Sequence, residues 1–182
     1  VIVHGYRPEA LDRLGLGTER RHELRPGLID VSLDAFGWTG PWSTRRGFDS
    51  LVQLSSGIAD AGMVAAGIDK PKSLPVQALD HATGYLLAAA AVRGLRHRRT
   101  TGEGVVARCS LARTATMLID GPRGSLDESF DPPSPERMGE AIEQTSWGPA
   151  LRIHAPVEIG GVPPAWELPA TALGMHSPRW TE

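Results

Sequence analysis

Asp80 is the residue best placed to do chemistry. It lies in the run SLPVQALDHATGYLLAAAAVRGLRHRR. From Ala82 to Val92 that run is apolar on almost every side, through Leu86, Leu87, Ala88–Ala91 and Val92. A helix apolar all round belongs inside a protein, and this one is too short to span a bilayer. The expectation is a core helix over Leu74–Arg99, with Ser73 as its N-cap and Pro75 in its first turn. Arg93, Arg96, His97, Arg98 and Arg99 gather at the far end, where cations complement the helix dipole. Asp80 then falls near the N-terminus of a buried element. Backbone N–H groups and the dipole hold a carboxylate ionised there, which suits a nucleophilic or binding group. The same place also suits an acid that only stabilises its own first turn, and position alone favours that plainer role.

Other chemistry is sparse. The loop over residues 34–47, DAFGWTGPWSTRRG, combines glycines that let backbone approach a ligand with the pair Arg45 and Arg46, which suit phosphate. It reads equally as a surface loop whose tryptophans pack on the core. His81 adjoins Asp80, but neighbours on a helix point apart, so no dyad is expected. The six histidines show no metal-ligand spacing, and no metal site is expected. The single Cys109 excludes an intramolecular disulfide and reads as a small buried hydrophobe in a strand. There is no GxGxxG, P-loop, HExxH or GxSxG sequence.

The elements that must position Asp80 follow in order. Val1–His4 reads as a strand. Pro8 starts a helix with Ala10, Leu11 and Leu14, closed by Gly15 and Gly17. Thr18 caps a short helix to Leu24, and Leu28–Leu33 is the next strand. Phe48–Ser56 reads as a short helix, and residues 59–72 as an Ala/Gly-rich lead-in to the Asp80 helix. Val105–Ser110 is a strand and Leu111–Ile119 a helix. This order predicts an α/β fold: a partial Rossmann-like parallel sheet with covering helices over residues 1–119. Residues 120–182 hold most of the 15 prolines. They read as an extended C-terminal arm that wraps another domain or subunit, helical only at Pro135–Ile142 and disordered over Gly121–Pro133. The 182 residues carry 19 Lys and Arg against 21 Asp and Glu, a net charge of −2, so no basic excess points to nucleic acid. No signal peptide or membrane span is read, which makes a cytoplasmic protein the default. The chain opens VIVHGY, without Met and already inside a strand, as expected of a piece of something longer.

Four blocks carry the reading further: VIVHGYRPEALDRLGLG, then SLDAFGWTGPWSTRRGFDSLVQLSSGIA, then ALDHATGYLLAAAAVRGLRHRRTTGEG and the SLARTA run. In that order, over roughly Val1–Ala115, they resemble the class III CoA-transferase family, which includes formyl-CoA transferase, carnitine CoA-transferase and α-methylacyl-CoA racemase. The resemblance implies transfer of CoA from an acyl-CoA thioester to a carboxylic acid. Asp80 would be the catalytic nucleophile, passing through an acyl–aspartyl anhydride and an aspartyl-CoA thioester. CoA is then a substrate, and no resident cofactor is implied. The resemblance places Tyr6, Arg7, Arg13, Arg46, Phe48 and Asp49 at the CoA site. It also implies an interlocked homodimer. His4-Gly5, Glu9, Asp34-Ala35 and Val105 depart from the family's usual residues. In the racemases a histidine occupies the place of Phe48, and phenylalanine cannot transfer a proton. Two alternatives remain open: an acyl-CoA racemase or epimerase, and an incomplete fragment that serves as a dimerisation or docking half of a longer protein.

Overall fold

A computed structural model describes residues 1–122, 138–162 and 164–179. The chain divides into two compact units, Val1–Arg123 and Gly124–Glu182.

The first unit is built on three parallel strands in the order β1(Ile2–His4), β2(Ile29–Asp34), β3(Val105–Ser110). Ile2 pairs with Asp30, and Ile29 with Val105. The β-branched and aliphatic run of β2 makes it the central strand, and alternation along it serves two layers. Ile29 and Val31 are fully buried, with Leu33 packed against the core. Asp30 and Ser32 are buried as well, facing the side where α2(Thr18–Leu24) lies. A short α1(Ala10–Arg13) precedes α2. The N-cap of α2 is Gly17, with no side-chain cap, so Thr18 opens the helix rather than capping it. The parallel order and covering helices are those the sequence predicts.

Four helices complete the unit: α3(Asp49–Ser55), α4(Ile58–Ala66), α5(Ala78–Thr101) and α6(Leu111–Asp120). One core joins them, formed by Ala35, Val52, Ile58, Leu79, Leu111 and Ala115. Helix α4 is not among the elements read from sequence, where its residues form only a lead-in. Helix α5 lies across β2 and β3. Gly94 makes the close approach, since a Cβ built there would fall 2.7 Å from Ile29 Cγ2.

Two expectations for α5 need correction. The helix starts at Ala78 with Gln77 as N-cap, not at Leu74 with Ser73. It is also not buried all round. Leu79, Thr83 and Gly94 are buried, while Tyr85 and Val92 are 55% and 66% exposed. One face rests on the sheet, α3 and α6, while Ala88 and Ala89 of the alanine run are exposed. Cys109 is half-buried on β3, and burial pushes its thiol up.

In the second unit, β4(Met138–Thr145) and β5(Gly148–Ile153) form an antiparallel hairpin. The helix expected at Pro135–Ile142 is thus a strand from Met138 onward. Helix-forming side chains yield there to cross-strand pairing, reinforced by an ion pair from Arg152 Nε to Glu143 Oε1 at 2.5 Å. The disorder expected over Gly121–Pro133 falls almost wholly outside the described residues. Among the described residues, no helix is long and apolar enough to cross a membrane.

Candidate active site

Parallel α/β sheets bind ligands at the carboxyl ends of their strands. Here β1 and β2 end at His4 and Asp34, and two adjoining clefts open there. The larger, about 380 Å³, is lined in part by Tyr6, Arg7, Arg46 and Phe48. The other, about 300 Å³, is lined in part by His4, Ser32, Trp38 and Arg108. Tyr6, Arg7, Pro8 and Asp34 belong to both. The structure therefore gathers four of the residues placed at a binding site by sequence. Tyr6 is 63% and Phe48 84% exposed. Arg13 is not among them: it is exposed, pairs with Glu9 at 3.1 Å one helical turn away, and lines neither cleft.

Aromatic packing shapes the loop carrying Arg45 and Arg46. Phe36 meets Trp42 edge to face at 5.1 Å, and the Arg45 guanidinium lies 4.6 Å from the Trp42 ring centre. Arg46 makes no ion pair among the described residues. Asp34 Oδ1 accepts a hydrogen bond from the Gly37 N–H at 2.6 Å, while its Oδ2 is buried without a partner among the described residues. Burial pushes the Asp34 carboxyl up, against the opposing Gly37 hydrogen bond and Arg108 charge.

Beneath the smaller cleft lies a buried charge pair. Arg21 donates from Nε to Asp30 Oδ2 at 3.0 Å, and also to the Leu16 carbonyl. His4 Nε2 stands 3.5 Å from Asp30 Oδ1. Burial lowers the His4 pKa; Asp30 opposes that shift and Arg21 adds to it. Asp30 and Arg21 lie nine residues apart, and the sequence reading missed both.

Asp80 lies in the first turn of α5, as expected. Its side chain is exposed rather than buried. Its carboxyl is raised above the ordinary value, first by desolvation and then by the Asp49 charge, with His81 pulling the other way. Burial and the Asp49 charge thus work against the helix terminus expected to hold the carboxylate ionised. The backbone N–H of Asp80 meanwhile serves a second carboxylate, Asp49 Oδ2, at 2.9 Å. Asp49 is 2% exposed and directed at α5, so it does not present its carboxylate to a cleft. Phe48 and Asp49 divide the work at the start of α3: Phe48 lines the larger cleft and Asp49 holds the approach to Asp80. Asp80 itself lines neither cleft. Among the described residues, no cluster of His, Cys, Asp and Glu could hold a metal ion.

The fold is an α/β unit with paired clefts at the carboxyl ends of its strands, lined in part by Arg7 and Arg46, which make no ion pair among the described residues. The family model for CoA-transferase family III matches residues 1–152, and the chain belongs to that family. The probable fatty acyl-CoA transferase Rv3272 of Mycobacterium tuberculosis is 29% identical over 142 residues, 75% of this chain and 36% of the relative. Mouse succinyl-CoA:glutarate CoA-transferase is 34% identical over 119 residues, 65% of this chain and 27% of that protein. The orthorhombic crystal structure of Rv3272 superposes with a TM-score of 0.57 at 31% identity, over 64% of this chain and 32% of that one. The chain spans about a third of the length of these relatives.

Proposed function

We propose that the protein transfers coenzyme A from an acyl-CoA thioester to a carboxylic acid, with Asp80 as the nucleophile. The observation that carries this reading is the placement of Asp80. Its carboxylate is exposed on the first turn of α5 while its backbone is held at Leu79 and at its own N–H. Family membership and relatives named as CoA-transferases support it.

The chemistry follows from the carboxylate. An Asp80 oxygen attacks the thioester carbonyl, and the C–S bond breaks to release CoA thiolate and leave an acyl–aspartyl anhydride. The thiolate attacks the aspartyl carbonyl and expels the donor acid as its carboxylate. The acceptor carboxylate then attacks the aspartyl-CoA thioester, breaking its C–S bond to give an acceptor–aspartyl anhydride and CoA thiolate. The thiolate attacks the acceptor carbonyl of that anhydride, forming the new acyl-CoA and expelling Asp80 as its free carboxylate. Each step exchanges one acyl bond for another, so no oxidant and no net proton are required. Covalent catalysis divides one difficult exchange into easier ones. Tyr6, Arg7, Arg46 and Phe48 would receive the CoA moiety, arginine meeting phosphate and the aromatic groups meeting the apolar parts. Phe48 has no proton to move, which favours transfer over racemisation. The homodimer and a cytoplasmic location belong to the same proposal.

The test is acyl exchange by the full-length protein with a panel of carboxylic acids, together with Asp80→Ala. Exchange that disappears in the variant, with a CoA adduct on the Asp80 peptide of the wild type, is expected. Turnover that survives Asp80→Ala would overturn the assignment. Deuterium wash-in at the α-carbon without acyl exchange would favour the racemase instead.

A further inference from the structure

We propose that Asp49 and Gln53 act as positioning residues for the Asp80 carboxylate, clamping the chain that leads into α5 from one face of α3.

Helix α5 has no side-chain cap of its own, since Gln77 makes none. The third residue of a helix normally donates its N–H to the N-cap side chain. Here that residue is Asp80, and the acceptor is Asp49 Oδ2, 31 residues away in sequence. Asp49 Oδ1 accepts from Gln53 Nε2. Gln53 also donates from Nε2 to the Val76 carbonyl at 3.1 Å and accepts the Leu74 N–H on Oε1 at 2.7 Å. Both side chains are 2% exposed. Gln53 thereby uses both of its donors, and Asp49 uses both of its oxygens.

No Lys, Arg or His pairs with Asp49 among the described residues. What faces its charge is two helix N-termini, that of α3, where it is the first residue, and that of α5. Between the two clamp residues, Val52 packs in the same core as Leu79. The backbone at Leu79 and Asp80 is therefore fixed on one side by apolar contact and on the other by the Asp49 hydrogen bond. Only the Asp80 side chain is left facing out. A nucleophile needs its attacking atom held within a fraction of an ångström of the productive geometry. The clamp supplies that for Asp80, and it acts on the reaction rather than on substrate binding.

This inference rests on Asp80 being the nucleophile, and its test separates the two claims. In Asp49→Asn the amide can accept from Asp80 N–H or from Gln53 Nε2, but not both, because one of its ends is now a donor. The double variant Asp49→Asn with Gln53→Glu restores the match. The Asn oxygen accepts from Asp80, its NH2 donates to the new carboxylate, and the other carboxylate oxygen still accepts Leu74 N–H. Only the Val76 bond is lost. In the full-length protein, Asp49→Asn is expected to lower kcat about 10- to 100-fold while KM for acyl-CoA changes by less than about twofold. The double variant should recover at least about fivefold of the lost kcat. Hydrogen exchange at the Asp80 amide should quicken in the single variant and slow again in the double, whatever the protein's activity. Unchanged kcat in Asp49→Asn, a loss expressed in KM, or a double variant no better than the single would overturn the clamp's role. Should Asp49→Asn fail to fold, the volume-preserving Gln53→Met carries the same kcat-against-KM reading. A wild type with no acyl exchange would sink the proposed function, and the amide-exchange pattern would still decide whether the clamp exists.

Discussion

Asp49 Oδ2 lies 2.9 Å from the backbone nitrogen of Asp80, so a buried side chain of α3 caps the helix that carries the candidate nucleophile. The two carboxylates are joined through backbone rather than side chain to side chain. That arrangement fixes where Asp80 is and also burdens its ionisation.

The pH dependence follows. Desolvation, and then the Asp49 charge, raise the Asp80 carboxyl, and His81 acts in the opposite sense. The reactive form is the carboxylate. Hence kcat is expected to rise with pH through an inflection above the ordinary carboxyl value of 3.8. Asp49→Asn should move that inflection to lower pH even as it lowers the plateau. A raised carboxyl binds its proton more tightly when folded, so ionising Asp80 subtracts from stability as pH rises. Asp80→Asn is therefore expected to match or exceed the wild type in melting temperature at pH 7 while losing transfer. A clear drop in melting temperature would contradict this.

Much of the fold was legible because it is locally encoded. The runs at Ile29–Asp34 and Val105–Ser110 declare strands and Leu111–Ile119 a helix, to which the structure adds Ser110 as the cap, its side chain accepting from the Arg113 N–H at 3.2 Å. What was not legible depends on distant partners. Ser73 and Pro75 look like a helix start, but Gln53 takes the Leu74 N–H and the Val76 carbonyl and holds that stretch out of the helix. Helix α4, IADAGMVAA, has no marked apolar stripe and is bounded by Gly57 and Gly67, both at positive φ. Met138–Thr145 has helix-forming residues but is paired as a strand. At the site, the first-turn location of Asp80 could be read locally, whereas the inward turn of Asp49 has no signal within its own helix.

Gly94 sets how closely α5 approaches the sheet. A methyl there would meet Ile29 Cγ2 at 2.7 Å and Cγ1 at 3.3 Å. Ile29 is fully buried on the central strand and cannot swing aside. Gly94→Ala is expected to cost about 1–3 kcal/mol, despite alanine's better helix propensity. Denaturant midpoints measure this, and a stabilised variant would show that the helix can shift outward freely.

The Arg21–Asp30 pair, with His4 beside it, ties α2 to β1 and β2. Removing one partner of a buried pair leaves an uncompensated charge, so Arg21→Ala is expected to cost about 3–5 kcal/mol in equilibrium unfolding. His4 adds a pH signature. Its pKa is lowered by burial from 6.5, so the unfolded chain binds the proton more readily. Its share of stability is present above the unfolded value and is lost as pH falls through it toward the folded one. The raised carboxyls of Asp34 and Asp80 work in the opposite direction, toward greater stability at low pH. Melting temperature is thus expected to fall between pH 7.5 and 5.5, and His4→Gln should flatten that fall. An identical slope in the variant would place the titrating group elsewhere.

Two of the three arginines that the resemblance places at the CoA site separate in the structure. Arg46 lines the larger cleft without an ion-pair partner among the described residues, while Arg13 is tied to Glu9 outside both clefts. Charge neutralisation at a phosphate requires a cation that the ligand can reach, and Arg13 has none to give at that site. In the full-length protein, Arg46→Ala is expected to weaken CoA binding about tenfold, the loss of one charge-assisted contact of about 1.5 kcal/mol. That loss should shrink as salt rises, because an exposed charge is screened. Arg13→Ala should leave the affinity within about twofold and lower only a weak surface pair. Calorimetric titration at two ionic strengths distinguishes the cases. Equal losses for both variants would mean that the phosphates lie toward α1, away from the loop that Trp42 and Phe36 hold in place.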